Sequence, residues 1–190
     1  MAKLGHNIKI WSYAKDEADL INNERKCKFL PDITIPKNIE CTQSFEECVK
    51  GSDYIFHVTP SKVVRNTVKQ YKEFVGKQPI IMCSKGFEAE TELTLDEVMK
   101  EELPHIKCGI LSGPSHAEEV SLDIPTALVI ASEHDEVKEK VVDAFKSAKM
   151  RLYTSKDVRG VELGAALKNI IAFCAGVSVG LELGDNTFAA

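Results

Sequence analysis

Two hydrophobic periods alternate along this 190-residue chain. Blocks in which apolar residues run together, "NIKIW" (7–11), "DYIFHVT" (53–59), "PIIMCS" (79–84), "KCGILSG" (107–113), "PTALVIAS" (125–132) and "MRLYTS" (150–155), predict strands. The segments between them predict helices. Ala14 to Lys26 is a polar helical stretch, and "SFEECVKG" is a short helix opened by Ser44 and closed by Gly51. Residues 61–75 place apolar side chains at 63, 64, 68, 71, 74 and 75, which is amphipathic spacing. Further helices are predicted over 93–103, 115–120 and 135–148, while "LPDITIPKNI" (30–39) reads as a proline-punctuated loop. Strands alternating with helices in this way predict an α/β fold: a doubly wound, mostly parallel sheet covered on both faces. From Asp157 onward the pattern becomes continuous helix. A boundary is therefore expected near residue 155, with a sheet domain over 1–155 and the first helix of an all-helical domain over 156–190.

Both ends of the chain bear on its limits. "AKLG" (2–5) reads as the last turn of a helix stopped by glycine, leading into a strand. In a doubly wound domain that is the second strand. The first strand and its G-x-G-x-x-G turn are then expected upstream, and the chain reads as a fragment. "LGDNTFAA" (183–190) stops where Asp185 or Asn186 would open a new helix. The chain alone is expected to be impaired in turnover.

Composition narrows the function classes. The formal net charge of −5 argues against a nucleic-acid or anionic-membrane partner. The six cysteines form no C-x-x-C pair, and Cys83, Cys108 and Cys174 sit in apolar runs, which reads as buried free thiols in a reducing cytoplasm. The apolar run "VELGAALKNIIAFCAGVSVGLELG" (161–184) is interrupted by Glu162, Lys168, Asn169 and Glu182 and is rich in glycine, so it is not expected to span a membrane.

Three polar motifs fall where strands end, the edge at which open α/β sheets bind ligands. "CSKGFE" places Lys85 and Gly86 on a loop; alone, Lys85 reads as a solvated lysine. In "LSGPSHAEEV" a strand ends at Gly113 and Ser115 opens a helix. With Glu118 three residues on, Ser115 makes a capping box, and the same free amides make a seat for an anion or cofactor. His116 reads as a local packing residue. In the third motif Lys168 shares a helix face with Gly164, Ala165, Ile171, Ala172 and Ala175. Small neighbours leave a recess around it, although a lysine snorkelling from an interface has the same pattern. A buried ammonium has a lowered pKa and serves as proton donor and acceptor near neutrality.

With "KGFE", "SGPSHAEEV" and "GAALKNIIA" in this order, the chain resembles the NAD(P)-dependent glycerol-3-phosphate dehydrogenases of the bacterial type. The resemblance runs from "AKLGHNIKIW" to the last residue and includes "FLPDI" (29–33) and "LGDNTFAA". It implies a Rossmann-like cofactor domain and reduction of dihydroxyacetone phosphate to sn-glycerol 3-phosphate, serving phospholipid synthesis. It implies Lys168 as the catalytic lysine supported by Asn169, Lys85 near both nicotinamide and substrate, Gly113 and Ser115 against the substrate, and Ala117 against the cofactor. His116 stands where many members have Phe. An intact member is expected to be a cytoplasmic homodimer without a metal.

At the adenosine end "WSYAKD" offers Tyr13 and Lys15 as cofactor contacts. With no acid directly at the strand end to hold a ribose 2′-hydroxyl, NADPH is favoured over NADH, and Lys15 is the expected 2′-phosphate partner. The later Asp and Arg-Asn motifs of the family are not in the chain. Two other readings stay open: a different 3-hydroxyacid-type dehydrogenase, and a catalytically inert fragment of the fold. Lys168 and Asn169 are adjacent, whereas those other dehydrogenases usually separate the pair by a turn.

Overall fold

In the computed structural model, which describes residues 1–146 and 149–189, strand and helix alternate as expected. The elements are β1 (Ile8–Trp11), α1 (Lys15–Asp19, continued as a π-helical turn over Leu20–Glu24), β2 (Ile39–Thr42), α2 (Phe45–Val49), β3 (Ile55–His57) and α3 (Val64–Tyr71). Then follow β4 (Ile80–Met82), α4 (Leu95–Glu102), β5 (Cys108–Ser112), α5 (Ala117–Ser121), β6 (Thr126–Ala131), α6 (Asp135–Ala144), β7 (Met150–Ser155), α7 (Val158–Gly180) and α8 (Asp185–Ala189). Ser147 and Ala148, at the expected end of the helix over 135–148, lie outside the described residues, as does Ala190.

The strands form two sheets. One pairs β1 with β2 in parallel; the other has the order β3-β4-β5-β6-β7, parallel except for the antiparallel pair β5–β6. Strand β2 was not expected. Its four residues "IECT" are too short and too polar to stand out beside Pro36, and they become a strand only by pairing with β1, about thirty residues away. At the N-terminus, Ala2–Leu4 is a single 3-10 turn closed by Gly5 at φ 89°, as its sequence predicted.

The period of two along the strands sorts their side chains onto two faces. Ile80 and Met82 of β4 and Ile110 of β5 pack with Val64, Val68 and Tyr71 of α3 and Val98 and Met99 of α4. Their neighbours Ile81 and Leu111 point the other way, into a cluster with Leu128, Ile130, Val137 and Val141. All three residues of β4 are buried, which explains why it reads as a continuous apolar run rather than an alternating one.

One cap differs from expectation. Ser115 does not cap α5: His116 is at the N-cap without a side-chain bond, and Ser115 Oγ turns back to Gly113 O at 3.5 Å. At five residues α5 has little first turn to stabilise. The capping box is instead at α4, where Thr94 Oγ1 accepts from the Glu97 N–H and Glu97 accepts from the Thr94 N–H at 2.8 Å. Thr94→Ala should therefore cost about 0.5–2 kcal/mol in urea unfolding. Ser115→Ala should stay within about 0.5 kcal/mol of wild type. The opposite order would return the cap to Ser115.

Candidate active site

Because β3, β4 and β5 are parallel, the loops that follow them emerge along one edge of the sheet. The loop after β4 carries Ser84, Lys85 and Gly86. Ser84 Oγ donates to Thr59 O in the loop after β3, and Lys85 Nζ reaches Gly113 O in the loop after β5 at 3.4 Å. Gly86 has φ 119°, a conformation that calls for glycine, and a Cβ there would lie 3.1 Å from Ser61 Oγ. Beyond it the chain is pinned by Glu88, which accepts from Arg65 Nε at 2.8 Å and Nη2 at 2.7 Å. Those bonds hold the Glu88 carboxyl down at about 2.

Gly113 has φ 150°, and a Cβ would lie 2.9 Å from both Ala127 O and Leu128 Cδ2. The turn off β5 presses against β6 and admits no side chain. It leaves Gly113 O on the same edge as Lys85, with Ser115, His116 and Ala117 exposed beyond it.

Beneath these loops lies a buried polar network that the sequence did not single out. His57, 4% exposed, shares hydrogen bonds through Nδ1 with Tyr71 Oη at 3.0 Å and through Nε2 with Thr59 Oγ1 at 2.7 Å. Burial pushes the imidazole down to about 4 and the Tyr71 phenol up. The signal was a histidine in the strand block "DYIFHVT" itself. Beside Lys85, burial also pushes the Cys83 thiol up to about 12, which keeps it protonated.

Helix α7 begins under a cap in which Asp157 Oδ1 accepts from the Gly160 N–H at 2.8 Å, and Val158 and Val161 pack on the core beneath α3 and α4. Lys168 lies close enough to Lys85 for its charge to lower the Lys85 pKa, after the larger effect of burial. The Lys85 loop thus touches the Gly113 turn and lies within electrostatic reach of Lys168. Burial of Lys168 was expected and is not observed. Lys168 and Asn169 are exposed, as are Ile171 (66%) and Phe173 (71%), because nothing in the described structure covers this face of α7. Cys174 is exposed for the same reason, contrary to the expectation of a buried thiol. By length and composition alone α7 is also long and apolar enough to cross a membrane. Among the described residues neither Lys85 nor Lys168 makes an ion pair.

At the end of β1, Tyr13 is 83% exposed and Lys15 opens α1, also exposed. The Tyr13 carbonyl accepts from Gln43 Nε2 at 3.0 Å. The expectation of no acid at this strand end needs correction. Glu17, in the first turn of α1, folds back and accepts from Ser12 Oγ, which is buried directly after β1. Helical geometry brings it there, and spacing along the chain hid it. Two open polar clefts lie elsewhere, one beside Lys138 and Lys156 and one beside Arg25 and Glu40, and neither holds a candidate site residue.

Residues 1–138 match the family model for the N-terminus of NAD-dependent glycerol-3-phosphate dehydrogenase, and residues 157–190 match the model for its C-terminus. The chain belongs to the NAD-dependent glycerol-3-phosphate dehydrogenase family. The glycerol-3-phosphate dehydrogenase (NAD(P)+) of Clostridium tetani is 41% identical, covering 100% of this chain and 55% of its own length. That of Clostridium acetobutylicum is 43% identical, covering 100% and 58%. Among solved structures, the glycerol-3-phosphate dehydrogenase of Coxiella burnetii superposes with a TM-score of 0.90 at 30% identity, over 99% of this chain and 58% of that one. The Saccharomyces cerevisiae enzyme gives 0.83 at 29% identity, over 95% and 56%. The chain thus spans a little over half the length of the relatives it matches.

The His57 network carries a pH signature. Burial disfavours the imidazolium, so the unfolded chain takes up a proton before the folded one does. The stability held by neutral His57 is complete above 6.5 and is lost as pH falls from there to about 4. The loss should amount to about 3 kcal/mol. In urea unfolding across this window, His57→Phe should remove that part of the slope. A variant with the wild-type slope would move the titration to another group.

Proposed function

We propose that the intact protein interconverts dihydroxyacetone phosphate and sn-glycerol 3-phosphate with NAD(P)H, serving glycerophospholipid synthesis. One observation supports this reading: Lys85, on a strand-end loop, lies within electrostatic reach of Lys168 on the long helix, and among the described residues neither has a carboxylate partner. Burial and the nearby Lys168 charge disfavour the Lys85 ammonium, and an anion binding there relieves it. A ketose phosphate and the oxyanion it develops during reduction supply that charge.

The residues present fit a dinucleotide along the sheet edge. Tyr13 and Lys15 would take its adenosine end, and Lys85 and Ala117 the nicotinamide end. When bound, the nicotinamide supplies or accepts the hydride. Lys168 stabilises the negative charge developing on the substrate oxygen and gives it a proton; in reverse it takes that proton back. Lys85 adds positive potential and orients the substrate with Gly113 and Ser115, while Asn169 supports Lys168. Specificity for NADPH is assigned to Lys15, with the Glu17 carboxylate already engaged by Ser12.

The same reading divides the protein into a cofactor domain over 1–155 and a helical domain opening at 156. The apolar face of α7 is then covered by the rest of that domain and a second subunit, not by lipid. Support comes from Glu162, a carboxyl buried at the base of the helix. Small molecules are the partners, no nucleic acid is involved, and the compartment is the cytoplasm.

Turnover tests the reading. In the full-length protein, Lys168→Met should lower kcat for dihydroxyacetone phosphate reduction at least ~10²-fold while NADPH affinity changes little. Near-normal turnover would remove Lys168 from the catalytic role. Lys15→Ala should weaken NADPH relative to NADH by about 1.5–3 kcal/mol, measured by titration of each cofactor. An unchanged ratio would place specificity on other residues.

A further inference from the structure

Glu162 occupies an unusual position. Of the side chains on α7, those buried are Glu162 and Ser178, although the helix is mostly apolar. The partner of Glu162 is the start of α4, 66 residues earlier in the chain: its Oε1 accepts from the Asp96 N–H at 2.9 Å.

The reason lies in the orphan donors of α4. The first N–H groups of a helix lack partners within it. The capping box satisfies Thr94 N and Glu97 N and leaves Asp96 N, in a residue 8% exposed, without one. Glu162 supplies that partner. A residue of the lysine-bearing helix thus completes the cap of a helix in the sheet layer.

This bond fixes more than α4. Lys168 lies six residues beyond Glu162, about 9 Å along the axis. A slip of one residue would turn α7 by about 100° and shift it by about 1.5 Å, carrying Lys168 away from Lys85. Val158 and Val161 are apolar contacts without direction, whereas the Asp96 N–H accepts one rotational setting.

We infer that Glu162 is a positioning residue: its bond to the Asp96 N–H sets the phase and register of α7, and with them the place of Lys168 relative to Lys85. The inference rests on the lysine pair proposed above as the reaction centre. The role assigned to it is that of an acceptor oxygen, which does not require the ionised carboxyl that burial disfavours. Glutamine at 162 retains that oxygen. Methionine keeps the volume and lacks it.

A short amine–amine cross-linker reads the pairing without substrate, through the yield of the Lys85–Lys168 product found by peptide mass spectrometry. The whole chain should form this product. Glu162→Met should lower its yield severalfold, and Glu162→Gln should restore it. In the full-length enzyme Glu162→Met should lower kcat and leave KM for NADPH unchanged, a split that general loss of fold does not produce. Wild-type cross-linking in Glu162→Met, lost cross-linking in Glu162→Gln, or none in the parent chain would each overturn the inference. If Glu162→Met does not fold, the glutamine variant decides: parental yield supports the acceptor role and its loss refutes it. If the parent chain cross-links as expected but the full-length enzyme turns over no dihydroxyacetone phosphate, Glu162 keeps its role and the proposed reaction falls.

Discussion

Burial of β4 on both faces is the constraint from which the site follows. Ile80 and Met82 lock the strand to α3 and α4, and Ile81 locks it to the α6 side. Held between two apolar clusters, β4 cannot slip by one residue without turning Ile81 into the wrong layer. Its C-terminal end is therefore fixed, and with it the point where Lys85 leaves the sheet. The loops around Lys85 are then tied to one another by polar bonds: Ser84 to Thr59, Lys85 to Gly113, and Glu88 to Arg65. Apolar packing sets the place of the loops, and hydrogen bonds set their shape.

The electrostatics divide into a neutralised zone and an unneutralised one. Arg65 meets Glu88, Glu101 and Glu102, while Lys69 and Lys72 also face Glu102. This network settles its own charges and serves structure. Lys85 and Lys168 lie beyond it without acids. That contrast, more than either lysine alone, is what the proposed reading uses to place the substrate anion.

The sheet, its helices and the three strand-end motifs were legible in the sequence because each rests on a local signal: an apolar block, a helical period, or a glycine at a turn. What was not legible depends on pairing between distant residues. Strand β2 exists through β1; the Glu17–Ser12 contact comes from a turn of helix; and Glu162 caps a helix 66 residues back in the chain. Ser115 and Thr94 both begin a capping-box pattern, and only the longer helix uses it. Only the Ser115 cap was expected, and context placed the capping box at Thr94. The burial expected for Lys168 is not observed, because nothing in the described structure covers that face of α7.

The separation of β1–β2 from the five-stranded sheet has an energetic consequence. Among the described residues no strand ladder couples the two sheets, and the smaller rests on a core of Ala18, Ile21 and Cys41 with Ile10, Ile35 and Ile39 packed against it. Such a unit opens by local fluctuation at a lower free energy than the larger sheet. A dinucleotide reaching from Lys15 to Lys85 would bind both sheets at once, and its binding energy would then appear partly as slower amide exchange in β1 and β2. In this molecule, ligand and fold would share one cooperative transition.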